Sequence, residues 1–559
     1  MKTKRFLALV LAMLMVMAMV AGCSKKESGT SEQESQTSSE TTDNTDSAEE
    51  SSEEQQTPSG DVPTFKVATV RWTDAWPIDF LEMGVMKQLE EKASVDIEWQ
   101  VYYNGDWSEQ KSLLLAGGDL PDAFLGSIAL NASDMFNNLE NITELTPYIN
   151  AEIMPNLTAA MEKSPELKAI ATSRDGKIYS LPKKLPLRPT VCGDEMYINK
   201  EWLDRLGLSM PTNIEELANV MEAFATQDAD GDGDPTNHFA LTASAGGNLG
   251  GDLRHILAPF GTMVSRDGNY MGLNKDGNPV FVPAQENYKQ AVNWMHDLWT
   301  RGVLDPEYFT QEASAVTSKL QNEGGSKVGV IFGWTADAQV STNVGQFELV
   351  PAIEGYDGTH YVEAAANYLD IADREFVITN KCADPETLLK WADGFYDDLV
   401  SVQTFYGSIP DQIQDNGDGT YTVLVPADGT SLDTSAWSWS LRDFGPKFMN
   451  PEFYGNVILP EDQGDGVKLG QDSVNGQYVT NDKNCGLPMM QYTDEELSRL
   501  TAIGVDLYTY VEAQYAHWVI DGGIDDEWDA YLDQLKAMGL DEFVSIHENA
   551  YKAYQESMG

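Results

Sequence analysis

Asp228, Asp230 and Asp232 stand at alternate positions and are followed by Gly233, Asp234, Thr236 and Asn237. Carboxylates at the first, third and fifth places of a loop, with glycine sixth where the chain turns sharply, aim alternate oxygens at one hard cation. That is the first half of an EF-hand-like calcium loop. The bidentate glutamate of a full loop is missing, because Phe239 stands at the twelfth place. The competing reading is an acidic surface turn between a helix and a strand. Asp415-Asn416-Gly417-Asp418-Gly419 matches less well and reads as a hairpin turn.

Aromatic residues beside charged ones form the second group of candidates. Arg71-Trp72-Thr73-Asp74-Ala75-Trp76-Pro77 follows an apolar run, and two tryptophans beside Arg and Asp in a loop are odd for a core. Asp106-Trp107 follows a second run, with helix packing as the plainer reading of Trp107. Trp334 ends a third run at Gly333, and Asn367-Tyr368 precedes a fourth. Trp437-Ser438-Trp439 with Arg442-Asp443 is the densest aromatic-polar cluster, and alternation puts both tryptophans on one face. Arg188 lies in a proline-rich stretch. The candidate ligand contacts are therefore Trp72, Trp76, Trp107, Arg188, Trp334, Tyr368, Trp437, Trp439, Arg442 and Asp443. Trp202, Trp391, Trp518 and Trp528 sit in amphipathic helical patterns and read as core. No Gly-x-Ser-x-Gly elbow, His-Glu-x-x-His pair or Gly-x-x-x-x-Gly-Lys-Ser/Thr loop occurs, and His547-Glu548 lacks a second histidine.

The elements that would carry these residues alternate. Phe65 to Val70 reads as a strand, Met83 to Lys92 as a helix, Val95 to Tyr102 as a strand, and Trp107 to Ala116 as a helix stopping at Gly117-Gly118, before apolar Ala123-Phe124-Leu125. Strand and helix at this spacing predict an α/β fold on a largely parallel sheet. Lys327 to Trp334 and Phe376 to Thr379 read as buried strands, and Pro385 opens a helix. Asp267-Gly268-Asn269, Asp276-Gly277-Asn278 and Asn416-Gly417-Asp418-Gly419 signal turns. The last stretch is helical, over 497–519, 526–538 and 540–554.

The 559 residues carry 36 Lys+Arg against 89 Asp+Glu, a formal charge of −53, which excludes a nucleic-acid backbone or an anionic membrane surface as partner. Lys2, Lys4 and Arg5 precede an apolar run from Phe6 to Ala21, which ends in Val20-Ala21-Gly22-Cys23. This resembles a bacterial lipobox: residues 1–22 form a lipoprotein signal peptide, and the Cys23 thiol carries the lipid. Residues 24–62 are Ser, Thr, Glu, Gln and Asp with almost no apolar side chain, so they are expected to form a disordered acidic tether. Four cysteines exclude a disulfide-stapled scaffold; Cys192, Cys382 and Cys485 read as buried thiols, with one bridge left open.

Several stretches together resemble the extracellular solute-binding proteins, family 1, of carbohydrate ABC transporters, in their large Gram-positive lipoprotein branch. They include Leu113-Leu114-Leu115-Ala116-Gly117-Gly118-Asp119-Leu120-Pro121-Asp122, Tyr197-Ile198-Asn199-Lys200-Glu201-Trp202 and Glu527-Trp528-Asp529-Ala530-Tyr531. Phe376-Val377-Ile378-Thr379-Asn380 with Pro385-Glu386 adds to them. The resemblance implies a two-lobed periplasmic-binding-protein-like fold, type II-like, with multiple hinge crossovers and a helical C-terminus. Lobe I is expected over 63–185 plus about 325–390, and lobe II over 186–324 plus about 391–559. It further implies a monomer on the outer face of the cell membrane, lipid-anchored through palmitate, that delivers a sugar to ABC permease subunits. In such a cleft, aromatic faces lie on the C–H faces of pyranose rings, and polar side chains satisfy the hydroxyls; an unpaired buried hydroxyl costs about 1–3 kcal/mol. Related proteins of this branch carry a structural calcium loop with ligands at places one, three, five, seven, nine and ten. That implies Asp228, Asp230, Asp232, Asp234, Thr236 and Asn237 here, with Thr236 and Asn237 where Asp and Glu are usual. The function expected is non-catalytic capture of an oligosaccharide. The alternatives are a surface glycan adhesin or sensor without transport, and a lipoprotein glycoside hydrolase.

Overall fold

The computed structural model describes residues 62–73, 79–185, 192–244, 253–265, 269–363, 371–480 and 482–558. The expected signal peptide and lipidated Cys23, the tether up to residue 61, and Trp76, Arg188 and Tyr368 lie outside these residues.

The opening alternation is borne out. Strand β1 (Thr64–Arg71), helix α1 (Gly84–Ala93), strand β2 (Asp96–Tyr103), helix α2 (Asn104–Gly117) and strand β3 (Ala123–Leu125) follow in order. β1 pairs parallel with β2 and with β3. Helix α2 ends where Gly118 adopts the left-handed conformation (φ 70°), which lacks a steric cost only for glycine. Helix α3 (Pro165–Ala171) leads to β4 (Leu181–Lys184). The chain then enters a second set of elements: β5 (Glu195–Asn199), α4 (Lys200–Leu206), α5 (Ile214–Thr226), α6 (Glu286–Thr300), β6 (Val330–Gly333) and β7 (Phe347–Leu349). Asn199 closes β5 and caps α4 in one step, its side chain accepting from the Glu201 and Trp202 amides. The chain returns through β8 (Ile371–Ile378), α7 (Pro385–Asp393), α8 (Asp398–Tyr406), α9 (Leu432–Trp439), β9 (Lys447–Phe448) and α10 (Asp465–Asn475). It finishes in α11 (Asp494–Asp521), α12 (Ile524–Ala537) and α13 (Leu540–Met558), the helical C-terminus that was expected.

The first sheet has the order β9-β4-β8-β3-β1-β2. It is parallel except at β8, which runs antiparallel to β3 and β4. The second sheet, β6-β5-β7, is antiparallel throughout. Here the pairing departs from the expected division. The Lys327–Trp334 run, placed with the first lobe, pairs with Glu195–Asn199 of the second sheet, and the segment from Trp391 to Phe448 packs into the core under the first. The reason is non-local: β6 finds its hydrogen-bond partner more than 130 residues upstream, whereas its own apolar pattern says only that it is buried. Phe65, Val67, Leu125, Leu181, Phe376, Trp391 and Phe448 fill the first core, and Ile198, Trp202, Phe224, Tyr288, Leu507 and Trp518 belong to the second. Trp202, Trp391, Trp518 and Trp528 are all buried, as expected. Asp276-Gly277-Asn278 turns between two short antiparallel strands, Met271–Leu273 and Pro279–Phe281. The 416–419 turn does the same between Ile413–Asp415 and Tyr421–Val423. Cys192, Cys382 and Cys485 are buried and form no disulfide among the described residues. Among the described residues no helix is long and apolar enough to cross a membrane.

Candidate functional site

The carboxyl end of β1 organises one face of the site. Arg71, the last strand residue, is buried, and its guanidinium donates to the carbonyls of Ser440 (3.3 Å) and Trp437. Burial draws its pKa down to about 10, and the group remains charged at neutral pH. β1 thereby holds the end of α9. Trp72 follows Arg71 with 45% of its surface exposed. Its ring lies 5.8 Å from that of Phe444, and the half-buried Trp437 ring lies 5.6 Å from Phe444 on its own side. Trp72, Phe444 and Trp437 thus form one aromatic platform, of which Phe444 is the buried centre.

The loop carrying Phe444 is fixed from beneath by buried charges. The Lys183 ammonium donates to the Asp443 carbonyl and lies 3.1 Å from Glu375 Oε1. Glu375 Oε2 accepts from the amides of Gly445 (2.8 Å) and Ser127 (3.1 Å). Lys447 Nζ reaches the carbonyls of Arg442 and Phe444, each at 2.7 Å. Burial, then the neighbouring Lys183 charge, pull the Lys447 pKa down to about 7. Each of these ammonium groups meets backbone oxygens of one short loop.

A second face lies at the end of β6. The half-buried Trp334 follows Gly333; Tyr197 Oη donates to its carbonyl (3.0 Å), and Lys468 Nζ sits 4.7 Å from its ring centroid. Lys468 also pairs with Glu195 Oε2 at 2.9 Å and donates to the Gly193 carbonyl at 3.0 Å. Alongside, Arg254 meets Asp194 at 3.1 Å, His255 Nδ1 meets Glu363 at 3.0 Å, and Phe332 stacks on the His255 ring at 5.1 Å. The two faces are joined by a hydrogen bond from Ser431 Oγ, at the start of α9, to Asp337 Oδ2 (2.8 Å), three residues after Trp334.

The structure therefore brings Trp72 and Trp437 into one platform and places Trp334 across the bond that joins the two faces. The other described candidates take different positions. Trp107 is core: it is 3% exposed, packs between Tyr102 and Phe124, and donates to the Ala129 carbonyl at 2.8 Å. Trp439 does not share a face with Trp437. The segment is helix, not strand, so residues two apart point about 200° apart, and Trp439 turns away to donate to the Tyr406 carbonyl at 3.1 Å. Arg442 is buried at positive φ (49°), its guanidinium over the Phe405 ring at 4.4 Å and 3.7 Å from Asp465. Asp443 is buried in the same loop. Both support the platform from below. Asp194, Arg254, His255, Phe332 and Glu363 were not singled out from the sequence. The only signal available was position, with Asp194 just past the first chain crossover and Glu363 just before the return to the first sheet.

The acidic loop forms partly as expected. The carboxylates of Asp228, Asp230 and Asp232 converge with their oxygens within 4.8 Å of one another. Gly231 and Gly233 turn through positive φ, and the Asp228 carboxylate accepts the Gly233 amide at 3.1 Å. A lysine, however, already sits among the oxygens. Lys327 Nζ lies 2.5 Å from Asp230 Oδ2, 3.0 Å from Asp232 Oδ2 and 3.4 Å from Asn237 Oδ1. Asn237 spends its amide on Asp232 Oδ2 (2.7 Å), and Asp234 turns its carboxylate to Thr236. Of the expected calcium set of Asp228, Asp230, Asp232, Asp234, Thr236 and Asn237, the first three carboxylates converge, and the Lys327 ammonium meets Asp230, Asp232 and Asn237 in this arrangement.

No family model matches the chain. Over 491 residues it is 29% identical to FusA, a fructooligosaccharide ABC transporter substrate-binding protein of Streptococcus pneumoniae, across 86% of this chain and 88% of that one. FusA has been solved with kestose and, as an EF-hand mutant, with fructo-nystose; each structure matches at TM-score 0.76 and 28% identity, covering 88% of this chain and 99% of the other. An ABC-transporter-associated solute-binding protein from Bifidobacterium longum infantis, described as HMO-binding, matches at TM-score 0.74 and 25% identity over 89% of this chain and 99% of its own. In sequence over most of its length and in its two-lobed α/β fold, the chain is similar to the extracellular solute-binding proteins of carbohydrate ABC transporters.

Proposed function

We propose that this protein captures an oligosaccharide between its two lobes and passes it unaltered to an ABC permease, held to the outer face of the cell membrane by an acylated Cys23. The observation that carries the reading is the Trp72–Phe444–Trp437 platform at the carboxyl edge of the first sheet, bonded through Ser431 to the segment after Trp334. Ligands of α/β sheets sit at such edges and at domain interfaces. Exposed ring faces suit the C–H face of a sugar, and the Asp194, Arg254, His255 and Glu363 groups offer hydrogen bonds for its rim. In this reading one lobe comprises 62–185 with about 371–460, and the other 192–363 with about 465–558, a division supported by the two sheets and their cores.

Calorimetric titration of the purified protein with kestose, nystose and milk oligosaccharides tests this reading. Saturable binding that is lost in Trp437→Ala, with the sugar recovered intact, is expected. Absence of binding to any glycan, or conversion of one to products, refutes it, and the second outcome would select the hydrolase alternative.

A further inference from the structure

We infer that Lys327 is a built-in replacement for the calcium ion, so that this loop is clipped by an ammonium group of the chain itself. The position of the lysine is set by backbone pairing. The Phe239 amide donates to the Lys327 carbonyl at 2.8 Å, and the Gly329 amide donates back to the Phe239 carbonyl at 2.9 Å. The strand leading to β6 is therefore laced to the exit of the acidic loop, with Lys327 two residues along the pairing from Asn237. From there an ammonium has three donors, and the loop presents three acceptors: Asp230 Oδ2, Asp232 Oδ2 and Asn237 Oδ1. The match is complete in number.

Two further features belong with this exchange. Calcium prefers six to eight oxygens, and its affinity rises with the charge of the ligand set. The ninth and tenth places are Thr236 and Asn237, so the set is poorer in charge than a calcium loop with acids there. Asp232 Oδ2, which accepts from Lys327, also accepts from the Asn237 amide nitrogen at 2.7 Å, so that oxygen is already shared between two donors. A monovalent ammonium needs fewer charges around it, and it cannot leave on dilution or chelation. The clip ties the acidic loop that follows α5 to the strand entering β6, which leads to Trp334.

The test is calcium titration of the intact protein, after chelator dialysis, by calorimetry and by thermal unfolding. The wild-type protein is expected to show no saturable heat and the same unfolding midpoint in excess chelator as in millimolar calcium. Lys327→Met leaves three carboxylates facing one another. It should unfold several degrees lower in chelator, gain saturable calcium binding at least about ten-fold tighter than wild type, and recover its midpoint when calcium is added. Lys327→Met with Thr236→Asp and Asn237→Glu should bind tighter still. Saturable micromolar calcium binding by the wild-type protein overturns the inference, and this measurement does not depend on any variant folding. Equal calcium affinity in wild type and Lys327→Met overturns it as well. Glycan binding is not the readout, so the result is independent of the proposed ligand.

Discussion

Replacing Lys468 by Met should be among the most damaging single changes away from the platform. Lys468 and Glu195 are both fully buried and lie 2.9 Å apart. The ammonium also satisfies the Gly193 carbonyl, and Asn475 Nδ2 holds the other Glu195 oxygen at 2.8 Å. Removing one partner of such a pair leaves a bare charge in a low-dielectric interior, at a cost of about 3–5 kcal/mol. Asn475 still solvates one oxygen, so the lower end, about 3 kcal/mol, is expected for Lys468→Met. Glu195→Gln leaves Lys468 similarly stranded. The double variant removes both charges and should lose less than the sum of the singles, with a coupling of about 2 kcal/mol. Urea unfolding of the four proteins closes the cycle, and affinity for the glycan should fall several-fold in Lys468→Met as Trp334 loses the cation beneath its ring. Single losses that add to within about 0.5 kcal/mol would refute the claim that the two charges depend on each other.

Trp72→Ala and Trp437→Ala should each weaken glycan binding ten-fold or more in calorimetry; Trp72, being half exposed, should leave the unfolding midpoint nearly unchanged. Trp107→Ala should do the reverse, costing about 3–5 kcal/mol of stability in denaturant unfolding while the folded protein binds its ligand normally. Burial pulls the pKa of His547 down to about 4, with Tyr492 Oη 2.7 Å from its Nδ1. The unfolded chain takes up a proton near pH 6.5, so the stability held above that pH is lost as pH falls towards 4, on the order of 3 kcal/mol. His547→Gln should flatten that part of the stability profile, and an unchanged slope would count against the assignment.

Much of the first sheet was legible because its signals are local. The strands and helices between Thr64 and Leu125 each announce themselves by period and by the turn that ends them. The partners of a strand are not local, which is why the run ending at Trp334 reads as buried while its pairing with Glu195–Asn199 does not follow from its own pattern. Trp437 and Trp439 show a different failure. Read with period two they share a face, but the buried pair Leu432 and Ala436, four apart, already marks a helix. Charged residues fared worst. With 89 acids in the chain, nothing in the sequence separates the few that are buried, such as Glu195, Glu375 and Asp465, from those in water. Their cationic partners come from elements far away in the sequence. The same holds for Lys327: the acidic loop was visible, whereas the lysine 90 residues beyond Asn237 was not.

Helix α10 has a mechanical consequence. Asp465, at its start, accepts from Tyr406 Oη at 2.7 Å on the side of the first sheet, and Lys468, one turn later, is locked to Glu195 of the second. The two halves of the protein are thus riveted to one rod within a single helical turn. A swing of one half against the other about this helix would turn there as a lever does about its fulcrum. Travel is small beside α10 and grows with distance from it, so the parts of a ligand held far from the helix would feel the closing stroke most.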